Sequence, residues 1–100
     1  MIKTLGFMTG YVEKTSNYTG TTTDHTINCT SGTFSVTLPT AVGCAGKQYV
    51  VKNSGSGTIT VDTSLSQSVD GGSSKSLTTD QCITVVSTTS DWIITNYYNV

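Results

Sequence analysis

The stretch Gly46-Lys47-Gln48-Tyr49-Val50-Val51-Lys52-Asn53-Ser54-Gly55-Ser56-Gly57-Thr58-Ile59-Thr60-Val61 decides the fold class of this chain. Tyr49 and Val51 alternate with Val50 and Lys52. Ile59 and Val61 alternate with Thr58, Thr60 and Asp62. A period of two places one set of side chains on a buried face and the other on a wet one, as in a half-buried strand. Ser54-Gly55-Ser56-Gly57 supplies the permissive backbone of a tight reversal, so the stretch predicts strand, Gly-rich turn, strand.

The same grammar continues on both sides. His25 to Cys29 predicts a first short strand, turned by Ser31-Gly32. Phe34, Val36 and Leu38 alternate with Ser35 and Thr37, and Pro39, which cannot donate to a ladder, ends that strand. Gln67-Ser68-Val69 predicts a short strand before Asp70-Gly71-Gly72, with Lys75 to Leu77 pairing back across that turn. Gln81–Ser87 and Trp92–Tyr97 predict a final hairpin around Thr88–Asp91. About eight short strands, regularly punctuated by turns, predict an all-β fold: a small antiparallel β-sandwich or β-prism-like domain. The expected core is Ile27, Phe34, Val36, Leu38, Tyr49, Val51, Ile59, Val61, Leu77, Ile83, Val85, Trp92 and Ile94.

Residues 1–20 read differently. Ile2, Leu5, Phe7, Met8 and Tyr11 are apolar or aromatic but lack a strand period. They define an irregular N-terminal arm, residues 1–20, ahead of a β-sandwich domain, residues 21–100. These five side chains are the candidate partner-binding residues, because an arm gains affinity by ordering on a larger partner.

Composition narrows function. The chain has 100 residues, five lysines, no arginine and a net charge of −1. Nucleic-acid binding calls for a basic stripe, so neither nucleic acid nor an anionic membrane surface is expected. A chain this short buries only about 60–70% of its unfolded surface, which favours self-association or docking on a larger particle. With 21 threonines and 13 serines the expected surface is rich in hydroxyls. The first ten residues make a poor signal peptide, since Thr4, Gly6 and Thr9 interrupt the apolar run.

Catalytic chemistry is not expected. His25 is the sole histidine and sits at a strand start, so a nucleophilic triad has no evident base. Glycoside cleavage needs two carboxylates about 5–10 Å apart. Asp24, Asp70, Asp80 and Asp91 instead fall at expected turns or strand approaches, where Asp bonds its own backbone. Asp70-Gly71-Gly72 has too few oxygen ligands for a calcium loop. Cys29, Cys44 and Cys82 show no zinc spacing and read as reduced, small hydrophobes, with one disulfide and one free thiol as the alternative. No cofactor or metal is expected. The chain is also too short for the long solenoids of enzymatic spikes.

Taken in order, Phe34-Ser35-Val36-Thr37-Leu38-Pro39, Gly46–Asn53, Thr58-Ile59-Thr60-Val61, Val69-Asp70-Gly71, Leu77, Ile83–Ser87 and Trp92-Ile93-Ile94 resemble a family of small β-domains. These are the β-domains of tailed-bacteriophage virion proteins, of the head-fibre, head-decoration and tail-fibre type. The resemblance spans about 70 residues, from Thr23 to Ile94. It implies a non-enzymatic virion structural protein, assembled in the host cytoplasm: a minor capsid, head-decoration or head-fibre protein. It further implies a homotrimer whose arm anchors on the major capsid protein or another virion protein. The alternative is a tail-fibre or receptor-binding module that meets the host surface, where a glycan would be the ligand.

Overall fold

The computed structural model describes residues 10–99, and its strands are β1 (Tyr11–Lys14), β2 (Tyr18–Thr19), β3 (Thr26–Cys29), β4 (Phe34–Thr37), β5 (Gln48–Asn53), β6 (Ile59–Asp62), β7 (Ser74–Leu77), β8 (Cys82–Ser87) and β9 (Trp92–Tyr98). They form two sheets with one core between them. The first has the order β1-β3-β5-β8-β9 and the second β2-β4-β6-β7. The fold is an all-β sandwich of short strands, as the alternation predicts.

The way the chain visits the sheets differs from expectation. Residues 46–61 do not make a hairpin: β5 lies in the first sheet and β6 in the second. The segments before them do the same, β1 to β2 and β3 to β4. Three successive strand pairs therefore cross between the sheets and stack in parallel, β1 on β3 on β5 and β2 on β4 on β6. The first six strands wind as three coils of a short solenoid. Antiparallel pairing enters only afterwards, where β7 adds to β6 and the β8–β9 hairpin adds to β5. Lys75–Leu77 pairs with β6 rather than across the Asp70-Gly71-Gly72 turn, and Val69 makes only isolated bridges, to Gly72 and Trp92. Residues 11–19 of the expected arm contribute β1 and β2, the first coil.

Glycines explain the crossing. A two-residue reversal wants Asn-Gly or Asp-Gly, and Ser-Gly-Ser-Gly is neither. Here the glycines serve close stacking between coils. A Cβ on Gly57 would collide with the Gly32 carbonyl, and one on Gly55 would sit 2.9 Å from the Ser31 Cα. Asn53 fixes the corner. It is fully buried, its amide donates to the carbonyls of Gly57 (2.8 Å) and Leu77 (2.9 Å), and its oxygen accepts from Gly55 N–H.

Register aligns the core in rows. Val12, Ile27, Val51 and Ile83 follow one another across the first sheet. Phe34, Ile59 and Leu77 do so across the second. Every expected core residue is buried except Ile94, which is half-buried against the cluster; Cys29, Ala41 and Val69 join it. Trp92 is the largest buried side chain and meets Tyr49 edge to face at 5.4 Å between centroids. Each lateral side of the sandwich is closed by a lysine over a tyrosine from the opposite sheet: Lys14 over Tyr18 at 4.1 Å on one, Lys75 over Tyr97 at 4.4 Å on the other.

Candidate interaction surface at the loop end

The coil topology gives the sandwich two unlike ends. Parallel stacking brings the connections 15–17, 30–33 and 54–58 to one end, which we call the turn end; residues 78–81 join them. The opposite, loop end collects residues 20–25, 38–47, 63–73 and 88–91. Loops on a rigid scaffold are where binding residues concentrate.

Hydrogen bonds tie the long loops into one unit. The Gln67 side chain accepts from Ala41 N–H and donates to the Thr40 hydroxyl, both at 2.9 Å. The Ser64 hydroxyl donates to the Leu38 carbonyl, and that of Ser87 to the Ala41 carbonyl. The Trp92 N–H donates to the Ser68 carbonyl, and Asp91 accepts from Ser68 N–H. On this braced platform two apolar side chains stand in solvent: Val42, 63% exposed, and Leu65, 81% exposed. Leu65 and Ser66 both have positive φ, 55° and 60°, a conformation that costs a side-chain-bearing residue roughly 1–2 kcal/mol.

Asp24 organises the adjacent loop. It is buried, and its carboxylate accepts from the Tyr18 hydroxyl and from Thr21 N–H. Burial pushes its pKa up, but these hydrogen bonds and the charge of Lys14 outweigh that and hold it below its ordinary value. Lys47 donates to the Asp24 carbonyl, and the Tyr49 hydroxyl donates to that of Thr21. Burial, with the Asp24 charge second, pushes Tyr49 up to about 12.

Of the residues expected from sequence to bind a partner, Ile2, Leu5, Phe7 and Met8 lie outside the described residues. Tyr11 is on β1, 55% exposed, and held on the outer face of the first sheet: its hydroxyl donates to Glu13 Oε2 at 2.8 Å and accepts from Asn28 Nδ2 at 3.0 Å. Gly10, the first described residue, is fixed ahead of β1. Its carbonyl accepts from the N–H groups of His25 and Thr26, and a Cβ there would strike the Thr23 carbonyl. That anchor point is at the loop end. Val42 and Leu65 carry no periodic signal in the sequence, because each stands alone in a loop. A lone aliphatic residue among Gly, Ser and Thr was the one available signal.

The outer faces of the sheets also differ. Across the second sheet, Ser35, Thr60 and Ser76 form one row and Thr19, Thr37, Asp62 and Ser74 another. The first sheet instead shows Tyr11, Val50, Val86, Ile93 and Tyr98 beside Lys52. Among the described residues there is no pocket and no cluster of three or more metal-ligating side chains. His25 is half-buried, with Nδ1 3.1 Å from the Thr26 hydroxyl. Cys29 is buried, and Cys44 and Cys82 are half-buried free thiols. Burial pushes the Cys29 thiol up to about 11. Neither a family model nor a curated protein matches this chain.

Proposed function

We propose that this protein is a virion structural component of a tailed phage, a minor capsid, head-decoration or head-fibre protein, and that it is anchored by its N-terminal segment. The ordered resemblance from Thr23 to Ile94 supports the class of protein. The structural observation that favours anchoring is the position of Gly10, the first described residue, which is hydrogen-bonded at the end where the long loops and the exposed Val42 and Leu65 gather. The attachment partner is the major capsid protein or another virion protein. The body assembles as a homotrimer, which adds burial to a domain too small to exclude much surface on its own.

Deleting the gene tests this reading. Particles lacking the protein should still assemble and infect, and should lose integrity sooner under heat or osmotic shock. Labelled protein should decorate the head in low-resolution images. Intact particles that no longer adsorb to cells would instead make the protein a tail-fibre or receptor-binding module directed at a host-surface glycan.

A further inference from the structure

The outer faces of the two sheets are unlike enough to assign one to solvent and the other to copies of the same chain. We propose that the outer face of the first sheet is the surface by which three copies meet, with β5 of each nearest a threefold axis and β1 of each against β9 of the next; this rests on the homotrimer proposed above and on nothing about where the trimer sits. Every outward strand position of the second sheet is Ser, Thr or Asp. Among the described residues, the exposed large hydrophobic side chains carried by strands all belong to the first sheet: Tyr11, Ile93, Tyr97 and Tyr98. Val50 and Val86, both half-buried, stand outward between them.

Charge selects the occupant. A surface that meets its own copy must not repel itself, because like charges brought together are costly. Outward from the strands of this sheet stand one acid, Glu13, and one base, Lys52. The Lys52 ammonium is drawn to the turn end, where it donates to the Asp80 carbonyl at 2.8 Å and lies 3.9 Å from the Asp80 carboxylate. Glu13 is on the edge strand β1 and accepts from the Tyr11 hydroxyl. The rest of the face is uncharged. An acidic or basic partner finds little there to pair with, whereas a copy of the chain finds a neutral, part-apolar surface like its own.

Dimensions fit three copies. Five strands about 4.8 Å apart make a face about 19 Å wide. Three such faces set as the sides of a triangle place the middle strand, β5, roughly 6–8 Å from the axis, a gap that one side chain from each copy spans. Gln48 and Val50 point there. Packed sheets lie about 10 Å apart, so the thin dimension of the 43 × 30 × 22 Å body runs across the two sheets. Its broad side exceeds the about 800 Å² that each partner gives to a standard interface. Two copies face to face would leave the edges of β1 and β9 bare, whereas three close each β1 edge on the next copy's β9. Register then names a contact. Tyr11, Thr26, Val50, Thr84 and Asn96 form one row across the sheet. A threefold axis parallel to the strands brings the first of the row beside the last, Tyr11 of one copy next to Asn96 of its neighbour.

Within one chain Tyr11 and Asn96 are on opposite edges of the sheet, four strand spacings or about 19 Å apart, far beyond the about 7 Å that a disulfide tolerates between Cα atoms. A Tyr11→Cys/Asn96→Cys double variant of the full chain, with Cys44→Ser and Cys82→Ser to remove the half-buried thiols, therefore closes this bond only between copies. Under mild oxidation it should run as a covalent trimer on a non-reducing gel and return to monomer on reduction. Val50→Glu gathers three like charges near the axis and should raise the concentration for half-assembly, read by sedimentation, at least about tenfold. Thr60→Glu, in the middle of the second sheet, should assemble as wild type. Circular dichroism checks that each variant folds, and cross-linking decides the matter if Val50→Glu does not. Wild type that sediments as a monomer at every concentration removes the homotrimer and this proposal with it, leaving attachment to a larger particle untouched. Wild-type trimers whose double variant does not cross-link overturn the proposed face while the homotrimer stands. A covalent dimer in place of the trimer overturns the threefold arrangement.

Discussion

Both ends of this sandwich carry the chain from one sheet to the other, but only the loop end also joins neighbouring strands of one sheet, through residues 63–73 and 88–91. At the turn end the connections within each coil, residues 15–17, 30–33 and 54–58, are short and stack closely on one another. Gly32, Gly55 and Gly57 are there because a side chain would strike the coil beside it. The buried amide of Asn53 binds the β5–β6 corner to the end of β7. At the loop end the connections are longer, are joined by side-chain hydrogen bonds, and include most of the strained non-glycine positions: Leu65, Ser66, Asp70 and Thr89, against Asp80 alone at the turn end. Strain of this kind persists only where surrounding structure enforces it, and such sites cluster where function lies. One end is thus specified by the need to stack coils, and the other is free to present side chains.

The comparison can be broken most severely from the core. Trp92 lies where the loop end meets the sandwich: its backbone pairs with Ser68 and Asp70, and its ring is buried against Tyr49. Trp92→Ala should cost roughly 3–5 kcal/mol in denaturant titration. The loops would lose their support, so the variant should also expose the 63–73 segment to protease before global unfolding. The indole Nε1 is buried without a hydrogen-bond partner. Trp92→Phe, which keeps a ring and removes that donor, should cost less than about 2 kcal/mol, the remainder being lost volume. Equal losses in the two variants would show that the ring is not packed as described.

Next in size is the turn end. Asn53→Ala leaves the carbonyls of Gly57 and Leu77 without their amide donor inside the fold. The expected loss is about 2–3 kcal/mol, the cost of abandoned buried polar groups. Gly57→Ala should cost about 1–3 kcal/mol by overpacking against Gly32. If both changes were silent, the coils would not be held by their corners, and the contrast between the ends would collapse.

These residues also mark how far the sequence could be read. The inward rows from Ile27 to Val85 were legible, since burial on one face of a strand enforces a period of two. The final hairpin was legible too. The route between the sheets was not. Residues 46–61 have the same alternation whether β6 folds beside β5 or crosses to the other layer. The distinction lies in Gly57 meeting Gly32, a contact 25 residues apart in sequence and invisible to local pattern. Parallel stacking likewise depends on three segments repeating a similar shape without repeating a sequence. Val12 and Tyr18 read as part of an irregular arm because each strand of the first coil is too short to display its period. At the candidate site, the placement of Val42 and Leu65 at one end of the sandwich is a product of topology alone.

A smaller effect separates the ends by pH. Burial opposes ionisation of Asp24, while Tyr18, Thr21 and Lys14 favour it by more, so its folded pKa is depressed. A depressed carboxyl stabilises the fold above its unfolded pKa and loses that contribution as pH falls through the folded value. Melting temperature should therefore decline as pH drops below 3.8, the ordinary value for this group, and continue to fall until the folded carboxyl is protonated. The loop end should loosen first, seen as faster amide exchange at residues 20–25 than at 54–58. Asp24→Asn should flatten the decline. An unchanged acid profile in that variant would place the acid sensitivity elsewhere.

The smallest effect is the most specific to strain. Thr89 has φ 83°, and a β-branched residue is a marked outlier in that region. It is held there by the β8–β9 turn, where its N–H reaches the Ser87 hydroxyl at 3.1 Å and the Thr88 N–H reaches the Asp91 carbonyl. Glycine adopts the same backbone freely, which relieves roughly 1–2 kcal/mol of strain. It also widens the unfolded ensemble, which returns about 0.5–1 kcal/mol. Thr89→Gly should therefore stabilise the protein slightly, by about 0.5–1 kcal/mol, with the Ser87 hydrogen bond retained. Asp80→Gly at the turn end should give less, because aspartate tolerates a left-handed backbone better than threonine does. A gain at Thr89 that exceeds the gain at Asp80 supports stored strain as a property of the loop end. A loss at Thr89 would mean that its side chain contributes a contact worth more than the strain, and the loop end would then be as tightly determined as the end it is contrasted with.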